Sequence, residues 1–413
     1  MGMKSKIAQQ AAEIAKGIAK DGKIAEQAVK MAKGIVNNSK KAMRSAEKIL
    51  DADIQIMMLG ARRVGKTSML ASMYNSFDIV TENTNLELTK KGGKAIDDAL
   101  DHMKALFKGP TMVNDVAPHV SDFGQTNGFD YIDFILKIAG KKNVKPRSIR
   151  FVDCSGEWIN ERVNEDKIGE MIEKSEVVII AVDTVLLMEN EGKYNSQNAV
   201  NTVTEFIINN MNPDDMINDK KMVLFVPTKC EKYFHQNANS SSIFYNKRMQ
   251  EITDKIREEY AKLFSFLTKP NNKKHFTVAI LPVITLGGIE FDEFTSDKDS
   301  DILTDEIQYR YCEPNKFAPQ FCDRPLIYSL RFVQKKIYDN YYAKAFDANN
   351  GKQKIFAIIK EWFQDRRNLA KDMDYINELE KVAKNLSTED YPGFVMAQDP
   401  DGIELKLELR KKG

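Results

Sequence analysis

The run from Gly60 to Thr67 is the sequence feature that most constrains the fold. Its letters, G-A-R-R-V-G-K-T, complete the phosphate-binding pattern G-x-x-x-x-G-K-[ST]. An apolar stretch of strand length, 53–59, precedes it, and residues 68–74 have helical periodicity. In such a strand–loop–helix unit, backbone amides surround phosphate groups at the positive end of the helix. We therefore predict a nucleotide site here.

The loop and the residue after it are all predicted to contact the nucleotide. They are Gly60, Ala61, Arg62, Arg63, Val64, Gly65, Lys66, Thr67 and Ser68. Lys66 is predicted to neutralise the β- and γ-phosphates, and the Thr67 hydroxyl to take one position on Mg²⁺.

A second motif follows the predicted strand at 148–152. The chain there reads Asp153-Cys154-Ser155-Gly156-Glu157. An acidic residue at the carboxyl end of a strand beside the phosphate loop can hold Mg²⁺, and a glycine three residues later can present its N–H to a γ-phosphate. We predict these roles for Asp153 and Gly156. The alternative is a strand that ends in an ordinary Asp-Ser-Gly turn.

Apolar strands alternate with helical segments along the middle of the chain. Strands are predicted at 129–138, 148–152, 176–182, 222–226 and 276–284, and helices at 195–211, 241–267 and 325–345. This alternation predicts an α/β fold with a mainly parallel sheet and ligand sites at the carboxyl ends of its strands. Residues 76–128 form a long connection with one helix at 94–107 and an exposed loop at 109–128, and residues 290–323 have an irregular pattern.

Three regions are predicted: a basic helical arm at 1–50, a nucleotide domain at 51–345, and a helical extension with a tail at 346–413. The arm has eleven Lys and Arg against four Asp and Glu, so it is charged +7 while the remainder is −6. Packing on the body or on a protein partner is the simplest interpretation of the arm. Binding to an anionic membrane surface and a disordered leader are the alternatives.

The bulk composition excludes several classes of protein. The net charge of +1 gives no reason to expect nucleic-acid binding. The longest apolar run, 177–182, is too short to span a membrane, and the four cysteines lack zinc-site spacing. We therefore expect a soluble, cytoplasmic protein with reduced thiols.

Three motifs, each at the end of a predicted strand, carry a resemblance to a family. They are Gly60–Thr67, Asp153–Gly156 and the T-K-C-E run Thr228–Glu231. They resemble the first, third and fourth motifs of the Ras-like (TRAFAC-class) P-loop GTPases, nearest to bacterial double-GTPase-like proteins. The resemblance implies a P-loop NTPase three-layer sandwich with insertions at 76–128 and 232–272. It also implies Mg²⁺, GTP or GDP as ligand, slow GTP hydrolysis, and a molecular switch that reaches a protein partner through 1–50 and 109–128.

The same resemblance assigns Thr228, Lys229, Glu231 and Thr285 to nucleotide binding. Lys229 would lie along the guanine ring, Glu231 would accept hydrogen bonds from it, and Thr285 would support it after the last strand. The alternative is that T-K-C-E is a surface turn without a role. Because the family usually has Asp at the Glu231 position and Asn at the Thr228 position, the choice between guanine and adenine stays open.

Catalytic assignments rest on loop residues. Thr126 is the first candidate for the switch threonine that contacts Mg²⁺ and the γ-phosphate, and Thr111 is the second; the alternative is a solvated loop hydroxyl. Glu157 stands where many relatives have Gln, so it either orients or deprotonates the attacking water or is inert. Arg62 either stabilises transition-state charge, points outward or obstructs an arginine from a partner. An ATP-using P-loop enzyme and a nucleotide-binding scaffold without hydrolysis are the two competing functions.

Overall fold

The computed structural model describes most of the central part of the chain. The described residues are 54–91, 94–109, 112, 115–117, 128–141, 144, 146–213, 216, 220–234, 242–295, 307–349, 374–375, 377–382, 391, 393–400 and 403. The predicted arm at 1–50 and both switch-threonine candidates, Thr126 and Thr111, lie outside them. Residues 350–373 of the predicted helical extension also lie outside.

The strands of the described residues are numbered in chain order. They are β1 (Ile54–Leu59), β2 (Leu86–Lys91), β3 (Val116–Ala117), β4 (Phe129–Ile138), β5 (Arg147–Cys154), β6 (Val177–Asp183), β7 (Lys221–Thr228), β8 (Phe276–Ile280), β9 (Ile289–Phe294), β10 (Ile307–Tyr311) and β11 (Val395–Gln398).

The α-helices follow the same convention. They are α1 (Lys66–Thr81), α2 (Lys94–Ala105), α3 (Gly156–Glu161), α4 (Glu165–Lys174), α5 (Thr184–Met188), α6 (Val200–Asn210), α7 (Glu231–Phe234), α8 (Ser242–Glu259), α9 (Ala261–Thr268) and α10 (Arg324–Asn349). Two short 3₁₀ turns, Glu189–Gly192 and Asn195–Asn198, lie between α5 and α6.

The main sheet has eight strands in the order β11-β8-β7-β6-β1-β5-β4-β2. The five strands from β8 to β5 pair in parallel, whereas β4, β2 and β11 are antiparallel to their neighbours. Helices flank this sheet, and β1 leads directly into the glycine loop and α1. The predicted fold class, an α/β P-loop NTPase fold with a mainly parallel sheet, is confirmed.

The central strands are buried because helices cover the sheet. Every residue of β6 and β7 is buried, as expected for parallel strands packed on both faces. One core cluster joins these strands to α4, α6, α8 and α9. Within it, the Phe225 ring of β7 stacks on Phe264 at a centroid distance of 4.6 Å and meets Tyr260 edge-on at 5.2 Å.

The structure corrects the interpretation of two segments. Residues 86–91, predicted as part of a long connection, form β2 at one edge of the main sheet. The segment 290–323, predicted as irregular, supplies most of β9 and all of β10. With β3 from the predicted 109–128 loop, these strands form a small antiparallel sheet in the order β3-β10-β9. Such pairing joins distant parts of the chain, so local periodicity did not indicate it.

The C-terminal region contacts both edges of the main sheet. At one edge, β11 pairs antiparallel with β8. At the other edge, the Tyr375 hydroxyl donates to the Leu136 carbonyl at 3.0 Å, and a Glu378 carboxylate oxygen accepts from the Asn85 amide at 2.8 Å. The described parts of 374–403 therefore pack on the main sheet.

Two bulk properties accompany this fold. No helix among the described residues is both long and apolar enough to cross a bilayer. The four cysteines are buried free thiols. Burial raises the pKa of Cys154 and of Cys230 to about 12, so both stay protonated near neutral pH.

Truncation of Phe225 tests the described core. We expect Phe225→Ala to lower the free energy of unfolding by about 3–5 kcal/mol, because a buried, stacked ring is replaced by a cavity. The exposed aromatic Tyr131 of β4 is the matched control, and Tyr131→Ala should cost about 1 kcal/mol or less. Denaturant titration of both variants measures the difference. Equal losses would contradict the described core.

Candidate nucleotide-binding site

The phosphate loop joins the end of β1 to the start of α1. Gly65 is the residue before the helix, and its φ of +89° lies in the left-handed region that favours glycine. The Lys66 side chain is buried, and its Nζ donates to the carbonyls of Gly60 at 2.9 Å and Ala61 at 3.1 Å. The loop thus curls around the ammonium group of its own lysine.

Lys66 also has an electrostatic partner. Burial lowers the pKa of Lys66 from its ordinary value, and the Asp153 carboxylate opposes that shift. A bound polyphosphate would favour the charged ammonium in the same way, because an anion beside a buried cation stabilises its charged form.

Parallel pairing of β1 with β5 brings the first two motifs together. Met58 of β1 lies opposite Asp153 of β5, so the two strands end side by side at the same end of the sheet. The Thr67 Oγ1 then donates to the Asp153 Oδ2 at 3.0 Å. A hydroxyl and a carboxylate are oxygen ligands of the kind that Mg²⁺ prefers. Among the described residues, no group of three or more His, Cys, Asp or Glu is arranged to hold a metal ion.

Gly156 lies directly against the phosphate loop. A Cβ atom at this position would lie 2.2 Å from the Arg62 N and 2.4 Å from the Arg62 Cα, so only glycine allows this approach. The next residue, Glu157, forms an ion pair with Arg62 at 3.4 Å, and both side chains are more than a third exposed. Arg62 and Glu157, both predicted to be catalytic, are therefore partly exposed to solvent beside the loop and form an ion pair with each other.

Thr228 supports the loop from β7. Its hydroxyl donates to the Val64 carbonyl and lies 3.2 Å from the Val182 carbonyl. The same hydroxyl would be 3.5 Å from a Cβ added at Gly65. Thr228 was predicted to contact nucleotide, and in the described structure its hydroxyl contacts the loop that would hold the phosphates.

The other residues assigned to the base are engaged within the protein. The Lys229 ammonium pairs with Asp183 at the end of β6. One oxygen of the buried Glu231 accepts from the backbone amides of Thr285 at 2.9 Å and Leu286 at 2.8 Å, and from the Thr285 hydroxyl at 3.3 Å. Thr285 thus lies next to Glu231, and Glu231 holds the 285–287 loop in place.

Sequence reasoning missed two residues of this region, Asp183 and Tyr309. Asp183 ends a buried strand at the same edge as Asp153, and its Oδ1 accepts from the Val185 amide at 2.9 Å. The rule that selected Asp153 could have selected Asp183. Tyr309 comes from β10, and the Lys229 Nζ lies 5.9 Å from its ring centroid. No motif or spacing pointed to it.

The amino-acid sequence matches no protein-family model and none of the curated proteins. The GTPase-like domain of S. cerevisiae Ski7, in a structure bound to GTP, matches with a TM-score of 0.30 and 10% identity, over 61% of this chain and 46% of that one. The same domain bound to GDP and inorganic phosphate matches with a TM-score of 0.31 and 11% identity, over 59% and 45%.

A bacterial dynamin structure matches with a TM-score of 0.24 and 12% identity, over 92% of this chain and 74% of the dynamin chain. This chain spans less than half the length of the two Ski7 structures. Similarity at this level does not assign an activity to this chain. The fold class therefore rests on the strand order and on the strand–loop–helix unit.

Removing the Thr228 hydroxyl should loosen the phosphate loop. We expect Thr228→Val to lower the free energy of unfolding by about 1–3 kcal/mol, because it leaves the buried Val64 carbonyl without this donor. Thr228→Ser retains the hydroxyl and is the matched control. Thermal and denaturant unfolding of the two variants measure the loss. If valine and serine destabilise the protein equally, the hydroxyl does not hold the loop.

Proposed function

We propose that this protein binds guanine nucleotide with Mg²⁺ at the phosphate loop, hydrolyses GTP slowly, and acts as a nucleotide-dependent switch for a protein partner. The observation that carries the proposal is the 3.0 Å hydrogen bond between Thr67 and Asp153, with Gly156 packed on the loop. These groups come from two different strand ends, and a nucleotide site needs them together.

In the proposal, each of these residues has its own role at the phosphates. Lys66 exchanges its hydrogen bonds to the carbonyls of Gly60 and Ala61 for bonds to phosphate oxygens, which are stronger acceptors for an ammonium group. When bound, Mg²⁺ would neutralise charge on the β- and γ-phosphates. Thr67 and Asp153 are the residues that would hold it. Gly156 has its backbone at the loop, where its N–H can detect a terminal phosphate.

The ion pair between Arg62 and Glu157 supports a role in hydrolysis. An exposed pair of this kind contributes about 0–1 kcal/mol, so a triphosphate can compete for Arg62 at little cost. In the proposed mechanism, Arg62 turns to the developing phosphate charge and Glu157 becomes available to orient water. A scaffold without hydrolysis is the competing function if the two side chains simply stay paired.

The switch proposal adds the long connection between α2 and β4. Only a segment with different contacts to GTP and GDP can report which nucleotide is bound. We propose that the 109–128 segment, with Thr126 as its first candidate contact, has this role. The basic arm at 1–50 is the proposed contact with the partner.

An ATP-using P-loop enzyme is the second candidate, and the position of Glu231 favours it. Guanine recognition needs a carboxylate that accepts from the ring, and the Glu231 oxygen described above already accepts from the Thr285 and Leu286 amides. Guanine binding therefore requires the other oxygen of Glu231 or a rearrangement of the loop. Adenine needs no such acceptor.

Lys66→Ala tests the phosphate loop directly. We expect nucleotide affinity to fall by about 10²-fold, because a charge-assisted hydrogen bond to phosphate is lost. Lys221 is the matched control: it is also buried, and its ammonium donates to the Glu173 and Ser175 carbonyls. Lys221→Ala should lower stability and leave nucleotide affinity unchanged in the folded protein. Calorimetric titration with Mg²⁺·GTP and Mg²⁺·ATP measures both. Tighter binding of ATP than GTP would reject the guanine assignment.

Glu157→Ala tests hydrolysis. If Glu157 orients or deprotonates water, phosphate release should slow by about 10²-fold while GTP affinity changes little. Glu161→Ala, on the same short helix and exposed, is the control and should keep the wild-type rate. Single-turnover phosphate release measures the rates. Equal rates for all three proteins would show that Glu157 is inert.

A further inference from the structure

The small sheet connects the predicted switch segment with the predicted base-binding residues. In β3, Val116 and Ala117 pair with Arg310 and Tyr309 of β10. The Tyr311 amide also donates to the Asp115 carbonyl at 2.9 Å. On its other side, β10 pairs with β9, which begins directly after the 285–287 loop.

One side chain of this sheet reaches the carboxyl ends of the main strands. Tyr309 is 8% exposed, and the Lys229 ammonium lies 5.9 Å from the centroid of its ring. The same ammonium pairs with the Asp183 carboxylate, so it interacts with both residues. Burial lowers the pKa of Lys229, but Asp183 and Tyr309 outweigh that effect and the net shift is upward, so Lys229 is charged.

The Tyr309 phenol stays neutral in this position. Burial raises the pKa of Tyr309, the Lys229 charge opposes the shift, and the Asp183 and Glu231 charges add to it. A neutral aromatic ring with one polar tip therefore lies among Lys229, Asp183 and Glu231. The Tyr309 side chain thus resembles a purine base, which also combines an aromatic ring with polar groups at its edge.

We propose that Tyr309 is a specificity-determining residue of the base subsite, defined as Lys229, Glu231 and Thr285, and that its phenol takes the place beside Lys229 that the base requires. The inference rests on the proposed nucleotide site. A base binds fully only after Tyr309 moves aside, so nucleotide affinity is reduced by the fraction of molecules in which Tyr309 is in place. Tyr309 does not compete with phosphate groups that bind at the loop.

The pairing of Tyr309 with Ala117 gives the displacement a second consequence. A base that moves Tyr309 also disturbs β10, the strand that pairs with β3 of the predicted switch segment. The small sheet then couples occupancy of the base subsite to the 115–117 segment, and a ligand without a base leaves that segment unchanged.

Paired titrations with GDP and inorganic tripolyphosphate, both with Mg²⁺, test the inference on the full chain. Tyr309→Ala should tighten GDP binding by about tenfold, as expected when a competing state of roughly 90% population is removed. The affinity for tripolyphosphate should stay unchanged. Tyr309→Phe retains the ring but removes the hydroxyl that interacts with Lys229, and it should tighten GDP binding by a smaller factor. This second variant keeps the test decisive if the alanine variant does not fold.

Tyr311→Phe is the matched control, because it removes a hydroxyl two residues away that donates to the Leu106 carbonyl. It should leave both affinities unchanged. Amide hydrogen exchange gives a second readout: GDP should speed exchange at 115–117 and 307–311, and tripolyphosphate should not.

The outcomes separate this inference from the proposed function. Weaker or unchanged GDP binding in Tyr309→Phe, with wild-type binding still dependent on Lys66, would overturn the role of Tyr309 and leave the nucleotide site standing. Equal effects of Tyr309→Phe and Tyr311→Phe on GDP affinity would also overturn it. If neither GDP nor tripolyphosphate binds the wild-type protein, the proposed function and this inference both fall.

Discussion

Parallel pairing of β1 with β5 is the constraint on which the candidate site depends. It places the end of β1 and the end of β5 at the same edge of the sheet, so that the loop after β1 and the acidic turn after β5 must meet. The 3.0 Å contact between Thr67 and Asp153 and the close approach of Gly156 to Arg62 both follow from this pairing. A sheet with these strands apart would carry the same sequence motifs and no site.

Charged side chains at the carboxyl ends of the central strands pair within the protein. Lys66 donates to its own loop, Lys229 pairs with Asp183, and Glu231 accepts from the amides of the 285–287 loop. Buried charges need such partners, because removing an ion from water is costly when nothing replaces its hydration. A ligand bound at these strand ends would therefore exchange hydrogen bonds and ion pairs that already exist. Its affinity would depend on the difference between the new contacts and the old ones.

The amino-acid sequence was sufficient to predict the elements that carry local signals. The glycine loop, the buried strands β6 and β7 and the helix α10 each follow from motif or periodicity, and together they define the α/β class. The small sheet was not predictable in this way, because its strands come from distant parts of the sequence and are stabilised by one another. By contrast, the sequence of β2, L-E-L-T-K-K, begins with the alternation that is typical of a half-buried strand. Thr285 and Glu231 were both assigned to the base, but the hydrogen bonds from the 285–287 loop to the Glu231 carboxylate were not predicted, since side-chain partners depend on tertiary packing.

A structure of the full chain with Mg²⁺ and a non-hydrolysable GTP analogue tests the central claim most directly. The account predicts the triphosphate inside the loop from Gly60 to Thr67, the Lys66 ammonium turned from the loop carbonyls to phosphate oxygens, and the metal in contact with the Thr67 hydroxyl near Asp153. An analogue bound away from this loop, or a metal that contacts neither Thr67 nor Asp153, would contradict it.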